Sequence, residues 1–189
     1  MSRSILVTGF GRFMGVEDNP STTLVNQLKT CLPEACCEVL ETSGTGSLER
    51  LVILVEENRC SDIVVHFGVD STSDCFKIEK CAYNEADFRC ADERGWKPTK
   101  QTIDPSKPLG VKTHTLVDVD ALVRELSLKG FPVRVSTDPG RFVCNWIFYH
   151  SLCSVNQKSV FVHIPVFAVI DLETQLSFAL TLIDLLGTL

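Results

Sequence analysis

The chain of 189 residues carries nine cysteines and four histidines, and one cysteine is placed to do covalent chemistry. Cys144 follows an apolar run, Val133 to Val135, that reads as the end of a buried strand, and a sharp turn signal, Asp138-Pro139-Gly140. Beyond the turn, Phe142, Cys144-Asn145-Trp146, Phe148-Tyr149 and Leu152 run into a predicted helix. A thiol at a helix N-terminus faces unpaired backbone N–H groups and the positive end of the helix dipole, both of which favour the thiolate. Free cysteine is also a common core residue, so Cys144 counts as a nucleophile only if partners are found.

His163 is the best-placed partner. It stands at the carboxyl end of another predicted buried strand, Ser159 to Pro165, and ligand sites in open α/β sheets lie outside the carboxyl ends of strands. His66 sits within a buried strand run; His114 and His150 lie in a strand-like stretch and a helix without a nucleophile-bearing turn nearby. A cysteine peptidase needs a thiolate, an imidazole to carry the proton, a third group to fix the imidazole and donors for the oxyanion. The Cys144 N–H is such a donor, and Arg89 can add positive charge. Glu79 is available as the third group where its strand runs beside that of His163. Its alternation with Lys77 in Phe76 to Lys80 reads, taken alone, as a strand face open to water.

The elements that would position these residues alternate along the chain. Ile5 to Thr8 is a strand, and Asn19-Pro20-Ser21 starts a helix, capped by Asn19 or Ser21, with Leu24, Val25, Leu28 and Leu32 at helical spacing. Val39-Leu40 is a short strand. Leu48, Leu51, Val52 and Val55 share one face of a helix ending near Asn58, and Ile63 to Phe67 is a buried strand ending at Gly68. Val119, Leu122, Val123 and Leu126 mark a helix closed by Lys129-Gly130, and Leu172, Leu176, Ala179, Leu180, Ile183 and Leu186 a strongly apolar final helix. The pattern predicts a three-layer α/β/α sandwich with a mixed, largely parallel central sheet, formed by one domain over 1–189. The polar, breaker-rich stretch from Asn84 to Pro108 is long for a plain connection and could cover a site as a lid.

Composition excludes several functions. A net charge of -6 with no Lys/Arg cluster opposes a nucleic-acid surface. No run has the unbroken apolar length of a membrane span, and no secretory leader is evident. The expected location is the cytoplasm, where the nine cysteines read as reduced thiols. Their spacing gives no metal site. The loop Gly9-Phe10-Gly11-Arg12-Phe13-Met14-Gly15 lacks dinucleotide spacing. Its Phe10 and Phe13 either cover the core or offer an apolar wall to a small uncharged ligand.

Taken together, Gly9-Phe10-Gly11 with Phe13, Asn19-Pro20-Ser21, Ile78-Glu79 with Asn84 and Phe88-Arg89, Gly140-Arg141-Phe142-Val143-Cys144-Asn145 with Tyr149-His150-Ser151-Leu152, and Phe161-Val162-His163-Ile164-Pro165 resemble the pyroglutamyl peptidase type I family, in its plant-like branch. The resemblance spans essentially the whole chain. It implies a cytosolic cysteine exopeptidase, without metal or cofactor, that removes N-terminal pyroglutamyl residues from peptides through a thioester acyl-enzyme. Cys144 would be the nucleophile, His163 the base and acid, and Glu79 the orienting carboxylate. Arg89 would line the site, and Phe10, Phe13, Phe142 and Val143 would enclose the ring. Self-association is left open. Pro139 replaces the family's usual alanine, Arg12 its usual proline, and the Gly68 to Asp74 loop departs from the glycine-rich bacterial form. The competing expectations are a binding protein that keeps the fold and pocket without catalysis, and a nucleoside-cleaving enzyme, for which basic or glycine-rich contacts are missing.

Overall fold

The computed structural model describes residues 4–15, 19–57, 62–155 and 158–188. The strands and helices are β1 (Ile5–Phe10), α1 (Pro20–Cys31), β2 (Cys36–Leu40), α2 (Gly44–Glu57), β3 (Ile63–Val69), β4 (Phe76–Glu79), β5 (Cys81–Tyr83), β6 (Lys112–His114), α3 (Val119–Leu128), β7 (Val133–Ser136), α4 (Val143–His150), β8 (Ser159–Ile164) and α5 (Leu172–Thr188). A π-helical turn, Ser151–Val155, follows α4. The main sheet has the order β2-β1-β3-β8-β4-β7, and β5 and β6 form a separate antiparallel pair. Strands β2, β1, β3 and β8 are mutually parallel; β4 runs antiparallel to β8, and β7 runs parallel to β4. This is the mixed, largely parallel sheet that the alternating pattern predicts.

Strand alternation sorts the side chains into two cores. Val7, Val65, Phe67, Phe76, Ile78, Val160, Val162 and Ile164 face α1, α3 and α5, where they meet Leu24, Leu28, Leu122, Phe178 and Leu182. Leu6, Phe10, Val64 and Phe161 face α2 and α4, against Leu51, Leu54, Ile147 and Phe148. On the first face the Phe76 and Phe178 rings stack with centroids 3.8 Å apart, and Phe131 meets Phe178 edge-on.

Two helices depart from the expected faces. In α2 the inward residues are Leu51 and Leu54, while Val52 is 41% exposed. The helix begins at Gly44, and one residue's rotation from Leu51 carries Val52 out of the stripe. Its predicted end at Asn58 lies outside the described residues. In α5 the inward stripe centres on Phe178, Leu182 and Leu186, with Leu172, Leu176 and Leu180 only half-buried.

The stretch from Asn84 to Pro108 is a packed loop with its own framework. The Asn84 side chain donates to the carbonyls of Asp104, Lys107 and Pro108 and accepts from the Asp104 N–H. Ala86 bridges Gln101, and Phe88 is buried against Trp96 and Phe142. The loop forms a wall over α4.

Phe178→Ala removes one ring of the buried stack, and large-to-small changes at such sites cost about 3–5 kcal/mol. Urea unfolding should show that loss as a lower midpoint at unchanged slope.

Candidate active site

Cys144 is the second residue of α4, whose N-cap, Phe142, makes no side-chain capping hydrogen bond. The first N–H groups of a helix have no acceptor within it, so the N-terminus of α4 presents free donors beside the thiol. The preceding turn is built around Asp138, whose Oδ1 accepts the Gly140 N–H at 3.1 Å. Gly140 has φ +78°, a conformation that favours glycine. The turn hydrogen bond comes from Gly140, so the absent N–H of Pro139 costs nothing there, and the unusual proline fits without a strained φ.

Two further residues hold this stretch. Arg141 pairs with Glu85 at 3.0 Å and Asp138 at 2.6 Å and lies 3.6 Å from the centroid of the Tyr83 ring. The buried Asn145 side chain accepts from the Tyr83 N–H at 2.8 Å and donates to the carbonyls of Tyr83 and Glu85. Its sequence signal was a lone amide in the apolar run of a helix, a position where a side chain that can replace a strand partner is useful.

His163 comes from β8. Phe161 and His163 alternate to the α4 side of the sheet, and Lys77 and Glu79 of β4 to the same side. Because β4 is antiparallel to β8, Lys77 is level with His163 and Glu79 is level with Phe161. Glu79, though last in its strand, is thereby carried back into the sheet and is 0% exposed. The expectation of a solvated strand face is therefore corrected for Glu79. What buries it is the reversed direction of β4, which sets it beside Phe161 inside the sheet.

His163 Nδ1 and Glu79 Oε1 are 2.9 Å apart in this buried setting. His163 also hydrogen-bonds Cys144. Burial disfavours the imidazolium, but the hydrogen bonds to Cys144 and Glu79 and their charges outweigh it, raising the His163 pKa to about 10. Glu79 Oε2 is buried and finds no hydrogen-bond partner among the described residues. His66 differs sharply. It is fully buried, its Nδ1 is 2.6 Å from Thr8 Oγ1, and burial lowers its pKa to about 3. Burial lowers half-buried His150 to about 4 as well, so both imidazoles are neutral.

Gly68 is opposite His163 in the β3–β8 register and makes the close approach possible. A Cβ there would lie 3.1 Å from Cys144 Sγ and 2.8 Å from the Phe161 ring. In the sequence Gly68 marks the end of a strand and the start of the loop to Asp74, and nothing in its neighbours shows what packs above it.

Two cavities meet at Cys144. One, of about 360 Å³, is walled by Phe10, Phe13, Phe142, Val143 and Val69, with Arg89 and Met14 at its edge. Phe10 and Val143 are buried, while Phe13 and Phe142 are half-buried with ring centroids 5.0 Å apart. The Phe10–Gly11 turn is held by Ser21, which accepts the Phe10 N–H, and by Asn19 and Thr42, which both donate to the Gly11 carbonyl. Arg12 points away to Glu93. The second cavity, of about 460 Å³, holds His163, Glu79, Asp87, Asp138 and Arg141. Cys144, Arg89, Phe142, Val69 and Ser71 border both. Among the described residues no group of three or more His, Cys, Asp or Glu could hold a metal ion, and no helix is long and apolar enough to cross a membrane.

Fold and relatives together make the protein a cysteine-type omega peptidase. The family model for pyroglutamyl peptidase matches residues 3–179, and the chain belongs to that family. It is 31% identical over 171 residues to the pyrrolidone-carboxylate peptidase of Brevibacillus brevis, covering 86% of this chain and 78% of the relative. It is 29% identical over 168 residues to human pyroglutamyl-peptidase 1, covering 86% and 79%. The solved structure of a mutant pyrrolidone carboxyl peptidase from Pyrococcus furiosus superposes with a TM-score of 0.86 at 25% identity, covering 96% of each chain. Bacillus amyloliquefaciens pyroglutamyl peptidase I gives 0.85 at 25% identity, covering 95% and 94%.

Gly68→Ala should push the Cys144 thiol out of register with His163. The rate of iodoacetamide labelling at Cys144, followed by peptide mapping, should fall several-fold while the far-ultraviolet circular dichroism is unchanged.

Proposed function

We propose that Cys144, His163 and Glu79 act as nucleophile, proton carrier and orienting carboxylate in hydrolysis of the N-terminal pyroglutamyl peptide bond. The observation that carries this reading is the buried 2.9 Å contact of Glu79 with His163 Nδ1, on an imidazole that also bonds the Cys144 thiol. Among the described residues Glu79 has one partner for its charge, and that partner is the imidazole; the carboxylate therefore stabilises the imidazolium and fixes which nitrogen faces the thiol.

The steps follow from these positions. The Cys144 thiolate attacks the carbonyl carbon of the pyroglutamyl residue, forming the C–S bond, and the oxyanion is received by free N–H groups at the start of α4, that of Cys144 among them. As the C–N bond breaks, His163 gives its proton to the leaving amine, and a thioester remains. Neutral His163 then takes a proton from water, the hydroxide adds to the thioester, the C–S bond breaks, and pyroglutamate leaves as the free acid.

The aromatic cavity suits this substrate. Pyroglutamate is a neutral lactam, and Phe10, Phe13, Phe142 and Val143 offer it apolar walls. A protonated ordinary N-terminus would lose its hydration there without a carboxylate to replace it. The chain acts, in this reading, as one peptidase domain over 1–189 in the cytoplasm. Eight cysteines among the described residues are free thiols, in keeping with a reducing compartment.

A pyroglutamyl fluorogenic amide should be turned over by the purified protein under reducing conditions, with Cys144→Ala lowering kcat by roughly 10⁴-fold or more. No turnover by the native chain would point to a binding protein on the same fold. Glu79 helps raise the His163 pKa, so Glu79→Gln should lower it. The alkaline limb of kcat/KM, where His163 loses its proton, should then move to lower pH, and kcat should fall by about 10²-fold or more. An unmoved limb would remove Glu79 from the mechanism.

A further inference from the structure

The two cavities differ in kind, and His163 lies in only one of them. The aromatic cavity contains Cys144 but not His163 or Glu79; the polar cavity contains all three. With the lactam ring in the aromatic cavity and its carbonyl at Cys144, the leaving amine must reach the proton on His163. The departing peptide is thereby placed in the polar cavity. At about 460 Å³ this space is of the size of a small-molecule site.

The charges along its walls are mostly matched. Lys77 is held by Asp70 at 2.5 Å, and Arg141 by Glu85 and Asp138. Burial opposes ionisation of Asp70, but its hydrogen bonds to Lys77 and Thr72 prevail and lower its pKa to about 2, so that carboxylate stays ionised beside Lys77. His163 is committed to Glu79. Two groups are exceptions: Asp87, whose carboxylate accepts the Lys100 backbone N–H at 3.4 Å, and Arg89. Arg89 is exposed, it borders both cavities at the level of Cys144, and no ion pair joins it to another of the described residues. It is also carried by the packed loop whose Phe88 is buried, so the backbone at the base of this free cation is fixed.

We infer that the polar cavity is the leaving-group site and that Arg89 selects there for a carboxylate on the residue released next to the scissile bond. The inference rests on the proposed function and adds a specificity to it. The carboxylate can be the α-carboxylate of a pyroglutamyl dipeptide or the side chain of an acidic residue in a longer peptide. Arg89 is open to solvent, so its effect is a modest and salt-sensitive one.

Four substrates separate the possibilities: pyroglutamyl-alanine and its amide, and the amides of pyroglutamyl-aspartate and pyroglutamyl-asparagine. At low ionic strength the native protein should favour the carboxylate member of at least one pair by roughly 3–10-fold in kcat/KM, and the pair showing it identifies the source. The ratio should shrink in 0.5 M NaCl through screening, fall to near unity in Arg89→Gln, and survive in part in Arg89→Lys. Hydrolysis without preference in either pair, or a preference unchanged in Arg89→Gln, overturns the inference while leaving the proposed function in place. Failure of the native protein to hydrolyse any of the four removes the proposed function and this inference with it.

Discussion

The buried contact between Glu79 and His163 is the constraint around which the rest of the site is arranged. A carboxylate with no exposure and a single partner is costly unless that partner is charged or donates to it. Two features of the fold supply the partner. The reversed direction of β4 places its last residue beneath the end of β8, and strand alternation turns both side chains to the same face. Had β4 run parallel to β8, a residue at its end would have emerged at the rim with His163, in water, where the same hydrogen bond would orient the ring far less firmly.

The contrast between the two cavities follows from the same face of the sheet. Phe10 and the α4 start supply apolar walls on one side of Cys144, and the charged side chains of β4 and of the loop before α4 lie on the other. A substrate whose first residue is a neutral ring and whose remainder is an ordinary peptide has the same asymmetry. Positioning is carried by side chains away from the thiol: Ser21, Asn19 and Thr42 fix the turn that bears Phe10, while Asn145 and Arg141 tie the helix of Cys144 to the strand and loop beside it.

Much of this was legible in the sequence. The strand, Asp-Pro-Gly turn and apolar helix around Cys144 form a local signal, complete within a short window, and so does the strand that ends at His163. The alternation of apolar strands with helical stripes gave the layers and the mixed sheet. What was not legible depends on contacts between distant segments. The alternation of Lys77 and Glu79 is the same for a strand face in water and for a covered one, so nothing local told them apart. Val52 fits the spacing of Leu48 and Val55, but the inward face of α2 runs through Gly44, Ser47, Leu51 and Leu54, and its small residues carry no apolar signal. The loop from Asn84 was readable as long and polar, but the amide of Asn84 that closes it and the burial of Phe88 depend on partners many residues away.

Gly68 gives the site a reference surface made of main chain. Side chains hop between rotamers and differ in volume from one sequence to the next, whereas a strand's backbone in the middle of a sheet has no such freedom. Where the Cys144 sulfur rests against that backbone with nothing in between, the separation of α4 from β3 at this point does not depend on which residues fill the layer elsewhere. The surrounding cores can be repacked extensively, as in chains that share this fold at about a quarter sequence identity, and the distance from thiol to imidazole need not drift with them.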